Sequence, residues 1–236
     1  EIKEKANFNV QRIAEIEGVD LVIGAAEKFN IAKHVEEFKQ TGIPKICSCD
    51  IDEVQGFHSS FSMNDRTRTF LKVQDGCDYT CSFCTIPLAR GHSRSDTIQG
   101  VLDNVKELAN AGVQEIVLTG VNLGDFGKGF NGSRKTEETF FDLVKALDRQ
   151  ALVPRFRISS IEPNLLHDEI IEFVANSKCF MPHFHIPLQS GSNKMLGDMR
   201  RRYKRELYTE RVENIKSVMP HACIGVDVIV GFPGET

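Results

Sequence analysis

FLKVQDGCDYTCSFC, residues 70–84, decides how this chain is read. Leu71, Lys72, Val73 and Gln74 alternate apolar and polar side chains, the period of a half-buried strand. Gly76 breaks the pattern, and Cys77, Cys81 and Cys84 follow at C-x3-C-x2-C spacing. A loop leaving the end of a strand can wrap three thiolates around one face of a metal centre. Soft thiolate ligands suit an iron–sulfur cluster or zinc. A structural zinc needs a fourth ligand, and His92 is the nearest candidate. A [4Fe–4S] cluster held by three cysteines instead leaves one iron open to a substrate. Reduced core cysteines are the plain alternative, and crowding into a polar, glycine-led loop argues against it.

Outward from this stretch, strand and helix patterns alternate. The spacing predicts a helix over 96–111, capped by Ser95 or Asp96 and stopped at Gly112. Strands are predicted over 115–120, 155–160, 183–188 and 223–231, and helices over 139–147, 165–176, 194–199 and 204–218. Repeated βα units give an α/β fold with a parallel sheet, open or curled into a barrel. Polar groups collect where these strands end: Gln74 and Asp75, Thr119 and Asn122, Ser159, Ser160 and Glu162, Gln189 and Ser190. In such folds that edge holds the active site. Capping of the next helix is an equal alternative for each. His183 and His185 flank Phe184 on a strand, and at most one is expected to face the site, core or capping roles being favoured. Cys179 and Cys223 read as buried cysteines without ligands.

Upstream, the first sixty residues read as a small α/β piece. A short helix over 11–17 ends at Gly18, VDLVIG over 19–24 is a buried-strand pattern, and 25–40 is helical in character. Polar, irregular residues 54–66 read as a linker. The division is therefore a partial N-terminal domain over 1–61 and a larger one over 62–236. Chain ends at Glu1 and Thr236 fall where structure is continuing, so the chain reads as a piece of a longer protein.

Composition sets limits. The 236 residues are 41% hydrophobic and 26% charged, which excludes a disordered or fibrous chain. The net charge of −4 does not suggest a generic basic nucleic-acid binder. Residues 1–60 carry 7 Lys and Arg against 11 Asp and Glu, and the remainder 22 against 22. Local basic runs remain: residues 200–205 (RRRYKR) put five cations and Tyr203 together, suited to phosphates and base stacking or to a solvated helix start. Arg90, His92 and Arg94 form a second strip. Seven cysteines, an odd count, argue against a disulfide scaffold. No apolar run reaches membrane-spanning length and no secretory leader is visible, so a cytoplasmic protein is expected.

The cysteine loop, with Thr85-Ile86-Pro87, Ala89-Arg90-Gly91 and Ser93-Arg94-Ser95, resembles the radical S-adenosylmethionine (SAM) methylthiotransferases. So do residues 158–163 (ISSIEP), 185–192 (HIPLQSGS), 199–203 (MRRRY) and 227–236 (DVIVGFPGET), a likeness that runs over 66–236. LTGVNLGDFG, residues 118–127, resembles the branch that acts on threonylcarbamoyladenosine in tRNA. Branches acting on isopentenyladenosine in tRNA or on a ribosomal protein are the alternatives, and a zinc-bearing RNA-binding module is the rival from another class.

The resemblance implies a partial (β/α) barrel of the radical SAM type. It implies a [4Fe–4S] cluster bound by Cys77, Cys81, Cys84 and exchangeable SAM, and replacement of the C-2 hydrogen of the adenine by a methylthio group. It implies Gly120 and Asn122 near the SAM amino group, Ser160 and Glu162 at the ribose or substrate, Gln189 and Ser190 beside them, and residues 229–232 along the adenine. Expected partners are tRNA, SAM and a reducing electron donor, with a monomeric protein and no membrane. A second [4Fe–4S] cluster is expected in the full-length protein. Its three cysteines should precede the segment resembling residues 13–24, and no cysteine precedes Cys47. The C-x-C spacing of Cys47 and Cys49 does not match them.

Overall fold

A computed structural model describes residues 10–54, 56–63, 67–129 and 137–235. Five parallel strands form its frame: β4 (Thr69–Lys72), β7 (Glu115–Thr119), β8 (Arg155–Ile158), β9 (His183–His185) and β10 (Cys223–Gly225). β4, β7 and β8 are hydrogen-bonded neighbours, as are β9 and β10. Parallel bridges Phe156↔Phe180 and Ser160↔His185 join β8 to β9. Chain order therefore equals spatial order, the progression of a partial (β/α) barrel. β3 (Ser60–Phe61) adds an antiparallel edge beside β4, so the segment read as a linker contributes a strand. Its residues 55 and 64–66 lie outside the described residues.

Strand parity sorts the two faces. Leu71, Ile116, Leu118, Phe156, Ile158 and Phe184 are buried on one face and join a single core with the helices. That layer consists of α4 (Ile98–Asn110), α5 (Phe140–Gln150), α6 (Asp168–Asn176) and α8 (Arg205–Val218). Burying each such side chain contributes about 1.5–3 kcal/mol. The opposite, inner face carries Lys72, Glu115, Thr119, Arg157, His183 and His185. His183 and His185, being two apart, share that face. Of the two, His185 is the one that bonds an expected site residue, Ser160.

Local chemistry moves some boundaries. Thr97, not Ser95 or Asp96, caps α4, its hydroxyl accepting from the Gly100 amide at 3.0 Å. Thr139 and Asp142 form a reciprocal capping box at α5. β10 ends at Gly225, with a single later bridge at Gln189↔Val228, because no further strand pairs beyond it among the described residues.

The N-terminal piece has residues 10–14 as helix α1. β1 (Leu21–Ile23) and β2 (Lys45–Cys47) are parallel and joined through α2 (Ile31–Thr41). The helix predicted from residue 25 begins only at Ile31, after a 3-10 turn over Lys28–Asn30. Gly42, at φ 63°, closes α2 with its amide on the Phe38 carbonyl. The piece meets the barrel where the Arg94 Nε donates to the Gly56 carbonyl at 3.0 Å.

Glu115 joins β7 to β8 on the inner face. It accepts from Arg157 at 2.6 Å and from Arg155 at 2.9 Å, with its side chain 12% exposed. Burial alone would raise its carboxyl pKa, but Arg157 and Arg155 outweigh burial and hold it below the usual carboxylate value. The stability this contributes is fully present above the unfolded pKa of about 4.3 and is lost as pH falls through the lower folded value. Glu115→Gln should lower unfolding free energy by about 1.5–3 kcal/mol at pH 7. In urea titrations across pH 7 to 2.5 the gap from wild type should close at the acid end. A gap independent of pH would contradict this account.

Candidate active site at the cysteine loop

β5 (Gln74–Asp75) pairs antiparallel with β6 (Arg94–Ser95) directly beyond β4. The residues between them form a closed excursion at the C-terminal edge of the barrel strands. Gly76 opens it at φ 70°, where a Cβ would lie 2.0 Å from the His92 carbonyl oxygen, so only glycine fits. The Cys77 amide bonds the Gly91 carbonyl at 3.0 Å, and α3 (Ile86–Arg90), with a proline in its first turn, follows Cys84.

Gln74, fully buried, ties this loop to the next strand end. Its Nε2 donates to the carbonyls of Asp75 and Gly76 and to Ser93 Oγ. Its Oε1 accepts the amides of Val121 and Asn122 at 2.8 and 2.9 Å. Asp75, also buried, accepts from the Gly76 amide, Arg90 and Arg94. Burial pushes the Asp75 carboxyl up, but the arginines and the amide bring it below its ordinary value. Arg94 is buried and also reaches the carbonyls of Arg90 and His92. Of the basic strip, Arg94 is internal scaffolding of the loop, His92 is half-buried, and Arg90 stays exposed while pairing with Asp75.

Cys77 and Cys84 are half-buried, Cys81 is buried, and all three are free thiols. Cys77 Sγ lies 3.4 Å from the Tyr79 amide and Cys81 Sγ 3.1 Å from Arg201 Nη1. Burial pushes the Cys77 thiol up to about 11, so a metal binding there must displace its proton. Three soft donors on one loop, two of them receiving N–H groups, suit a cluster that takes one cysteine per iron. Zinc would need its ligands to converge on one point. Among the described residues no three His, Cys, Asp or Glu side chains, these three cysteines included, converge as a metal-ion site. His92 faces two carboxylates, its Nδ1 3.0 Å from Asp78 and its Nε2 3.8 Å from Asp52.

The other expected site residues divide. Gly120 lines a cleft of about 650 Å³ on the inner face with Phe70, Lys72, Thr119 and Arg90. Asn122 is buried, its amide held by Gln74 and its Nδ2 by Asp125, while its Oδ1 has no partner. Ser160 Oγ lies 2.7 Å from His185 Nδ1, and His185 Nε2 lies 3.3 Å from Asp227. Glu162 is paired with Arg201. Gln189, at φ 63°, uses its backbone to pair with residues 227 and 229. Ser190 accepts the Ser192 amide ahead of α7 (Asn193–Asp198), whose cap is Ser192 and not Ser190. Val230 is 82% exposed and stands apart from the cleft.

Residues 200–205 divide: Arg200, Arg202, Lys204 and Arg205 are exposed, and Arg201 and Tyr203 are turned inward. Arg201 has a side chain only 5% exposed. Tyr203 is buried with its hydroxyl on the carbonyls of Pro187 and Leu188, so it has no free face for a base. Arg202 lies 3.9 Å from the centre of the Tyr79 ring and bonds the Asp78 carbonyl. A run of cations in sequence has no fixed side in space; here Arg201 and Arg202 close over the cysteine loop while Arg200, Lys204 and Arg205 stay exposed. Residue identity alone also missed Gln74 as a hub and His185 as a partner of Ser160.

The model of the radical SAM superfamily matches residues 71–236. The chain belongs to that superfamily. The threonylcarbamoyladenosine tRNA methylthiotransferase MtaB of Bacillus subtilis is 38% identical over 98% of this chain and 51% of its own length. That of Aquifex aeolicus is 37% identical over 98% of this chain and 55% of its own. A tRNA-2-methylthio-N(6)-dimethylallyladenosine synthase of Clostridium botulinum is 32% identical over 92% and 48%. The chain spans about half the length of these relatives. Among solved structures, the radical SAM methyltransferase TsrM of Kitasatospora setae superposes with a TM-score of 0.55 at 17% identity, over 71% of this chain and 32% of that one. The cobalamin-dependent radical enzyme OxsB superposes with a TM-score of 0.54 at 13% identity, over 95% and 38%. These two share the fold.

Gln74→Leu should cost about 1–3 kcal/mol for each buried amide it leaves without an acceptor. Urea unfolding of the two proteins measures this. A change under about 0.5 kcal/mol would mean that the hub is dispensable.

Proposed function

We propose that this chain is the radical-generating part of a methylthiotransferase acting at C-2 of threonylcarbamoyladenosine in tRNA. The observation that carries the reading is the identity of 37–38% over 98% of the chain to proteins named for that activity. In this reading Cys77, Cys81 and Cys84 hold a [4Fe–4S] cluster with exchangeable SAM. When bound, the cluster supplies an electron that cleaves SAM and starts radical chemistry on the substrate.

The chain's own residues bind, orient and exclude water. Gln74 fixes the loop 121–122 relative to the cysteines. The unpartnered Oδ1 of Asn122 suits a donor such as the SAM ammonium, and Gly120, where a Cβ would lie 2.9 Å from Gln74 Oε1, lets Gln74 pack beneath the turn that lines the cleft. Ser160, oriented by His185, and Glu162 are proposed to meet hydroxyl groups of SAM or substrate; Gln189 and Ser190 are proposed to shape the floor. The electron comes from an external low-potential donor, and the setting is cytoplasmic with the protein a monomer.

Transferred sulfur is proposed to come from a second [4Fe–4S] cluster in the full-length protein. Cys47 and Cys49 are not proposed as its ligands: Cys47 Sγ sits 3.9 Å from the buried His34, and Cys49 is exposed. The ribosomal-protein alternative is separated from the tRNA reading by nucleoside analysis of tRNA against mass spectrometry of ribosomal proteins.

The chain, reconstituted anaerobically with iron and sulfide and given dithionite, should release 5′-deoxyadenosine from SAM, and Cys77→Ala, Cys81→Ala or Cys84→Ala should each abolish release. It should form little or no methylthio-adenosine in tRNA, whereas a full-length protein should form it and bind about twice the iron. Cleavage surviving in the triple variant would refute the cysteine assignment.

A further inference from the structure

Arg201 belongs to the run of cations that sequence alone assigns to phosphate or solvent, yet it is turned inward. Its Nη1 donates to Cys81 Sγ at 3.1 Å, its Nη2 pairs with Glu162, and its Nε is buried without a partner. Its position is over-determined. The Arg201 amide bonds the Leu196 carbonyl at 2.8 Å, the Ser82 amide bonds the Met199 carbonyl at 3.2 Å, and Ser82 Oγ bonds the Asp198 carbonyl at 2.9 Å. The turn after α7 and the cysteine loop are thereby held against each other, and the Arg201 side chain is only 5% exposed. Arg201 also lies 5.2 Å from the centre of the Tyr203 ring.

A buried guanidinium with an unsatisfied N–H is costly unless it faces negative charge. One carboxylate faces it, Glu162. The other group in reach is the sulfur of Cys81, neutral as a thiol and anionic as a metal ligand. Resting on the cluster reading above, we propose that Arg201 is a positioning residue that sets the charge at Cys81, and that Arg201 and Glu162 together tune how readily the cluster accepts its electron. The step is uptake of one electron from a low-potential one-electron donor such as dithionite. The donor is oxidised, the cluster gains one negative charge, and no bond or proton in the protein changes. A cation in contact with a ligand sulfur stabilises the more negative form, since hydrogen bonds to sulfur and net charge are levers on such potentials. Glu162 opposes it by partly cancelling that cation. Asp125, the other nearby buried acid, is already paired with Lys128.

Opposite shifts are therefore expected from the two partners. In potentiometric EPR titrations of the reconstituted protein without SAM, Arg201→Met should disfavour reduction at least tenfold, a midpoint lower by 59 mV for one electron. Arg201→Lys, which keeps the charge but not the planar fork, should fall between Arg201→Met and wild type. Glu162→Gln should move the midpoint the other way. A merely structural role would not give shifts of opposite sign. Midpoints unchanged in Arg201→Met, or shifted in the same direction by both partners, would overturn the proposal. If Arg201→Met fails to fold or to take up iron, Glu162→Gln decides alone, and an unchanged or lower midpoint there overturns it. A wild-type protein that takes up iron, reduces and shows no such dependence refutes the role of Arg201 only. A wild-type protein that takes up no iron overturns the cluster reading and this proposal with it.

Discussion

A single buried side-chain amide carries the architecture of the site. Gln74 stands where β4 has ended and the cysteine loop begins, and its five hydrogen bonds reach both that loop and the turn after β7. Both of these are irregular backbone at the edge of a sheet, with polar groups that no ladder satisfies. Buried backbone of that kind needs partners from elsewhere. An amide is suited to the task because it offers donors and acceptor together without charge. Gly76 beside it makes the close packing on residue 92 possible.

Around that hub the loop is closed by charge. Asp75 gathers Arg90 and Arg94 from within the loop, and Glu162 gathers Arg201 from the turn after α7. Arg202 and Tyr79 stack between them. Buried ion pairs of this kind contribute little net stability when compared with apolar packing, and breaking one partner is costly. Their effect here is to hold geometry: three cysteines on a loop without regular secondary structure are held by contacts to three separate strand ends. The same contacts put a cation against one sulfur and an amide against another.

Much of the fold was legible in the residue pattern. Alternation at 71–74, the apolar cores of 115–120 and 155–160 and the amphipathic helices between them announced repeated βα units, because burial against a helix layer demands that periodicity. The cysteine spacing announced soft-metal chemistry. Less legible were β3, a two-residue edge inside a polar segment, and the boundaries of β9 and β10, which end where pairing partners end. Such limits depend on neighbours that lie far away in sequence.

The run at 200–205 marks the division most clearly. Its sequence determined that five cations and a tyrosine stand together, and the hydrophobic periods around it determined that they lie between two helices. Tertiary structure alone decided their direction. Arg201 turns toward Glu162 and Cys81, Arg202 lies over Tyr79, Tyr203 bonds carbonyls at 187 and 188, and Arg200 is left in solvent. The partners of these side chains are up to 124 residues away. Composition specifies what a charge can pair with; only the closure of the chain brings one partner, and not another, within 3–4 Å, where pairing outweighs the loss of water.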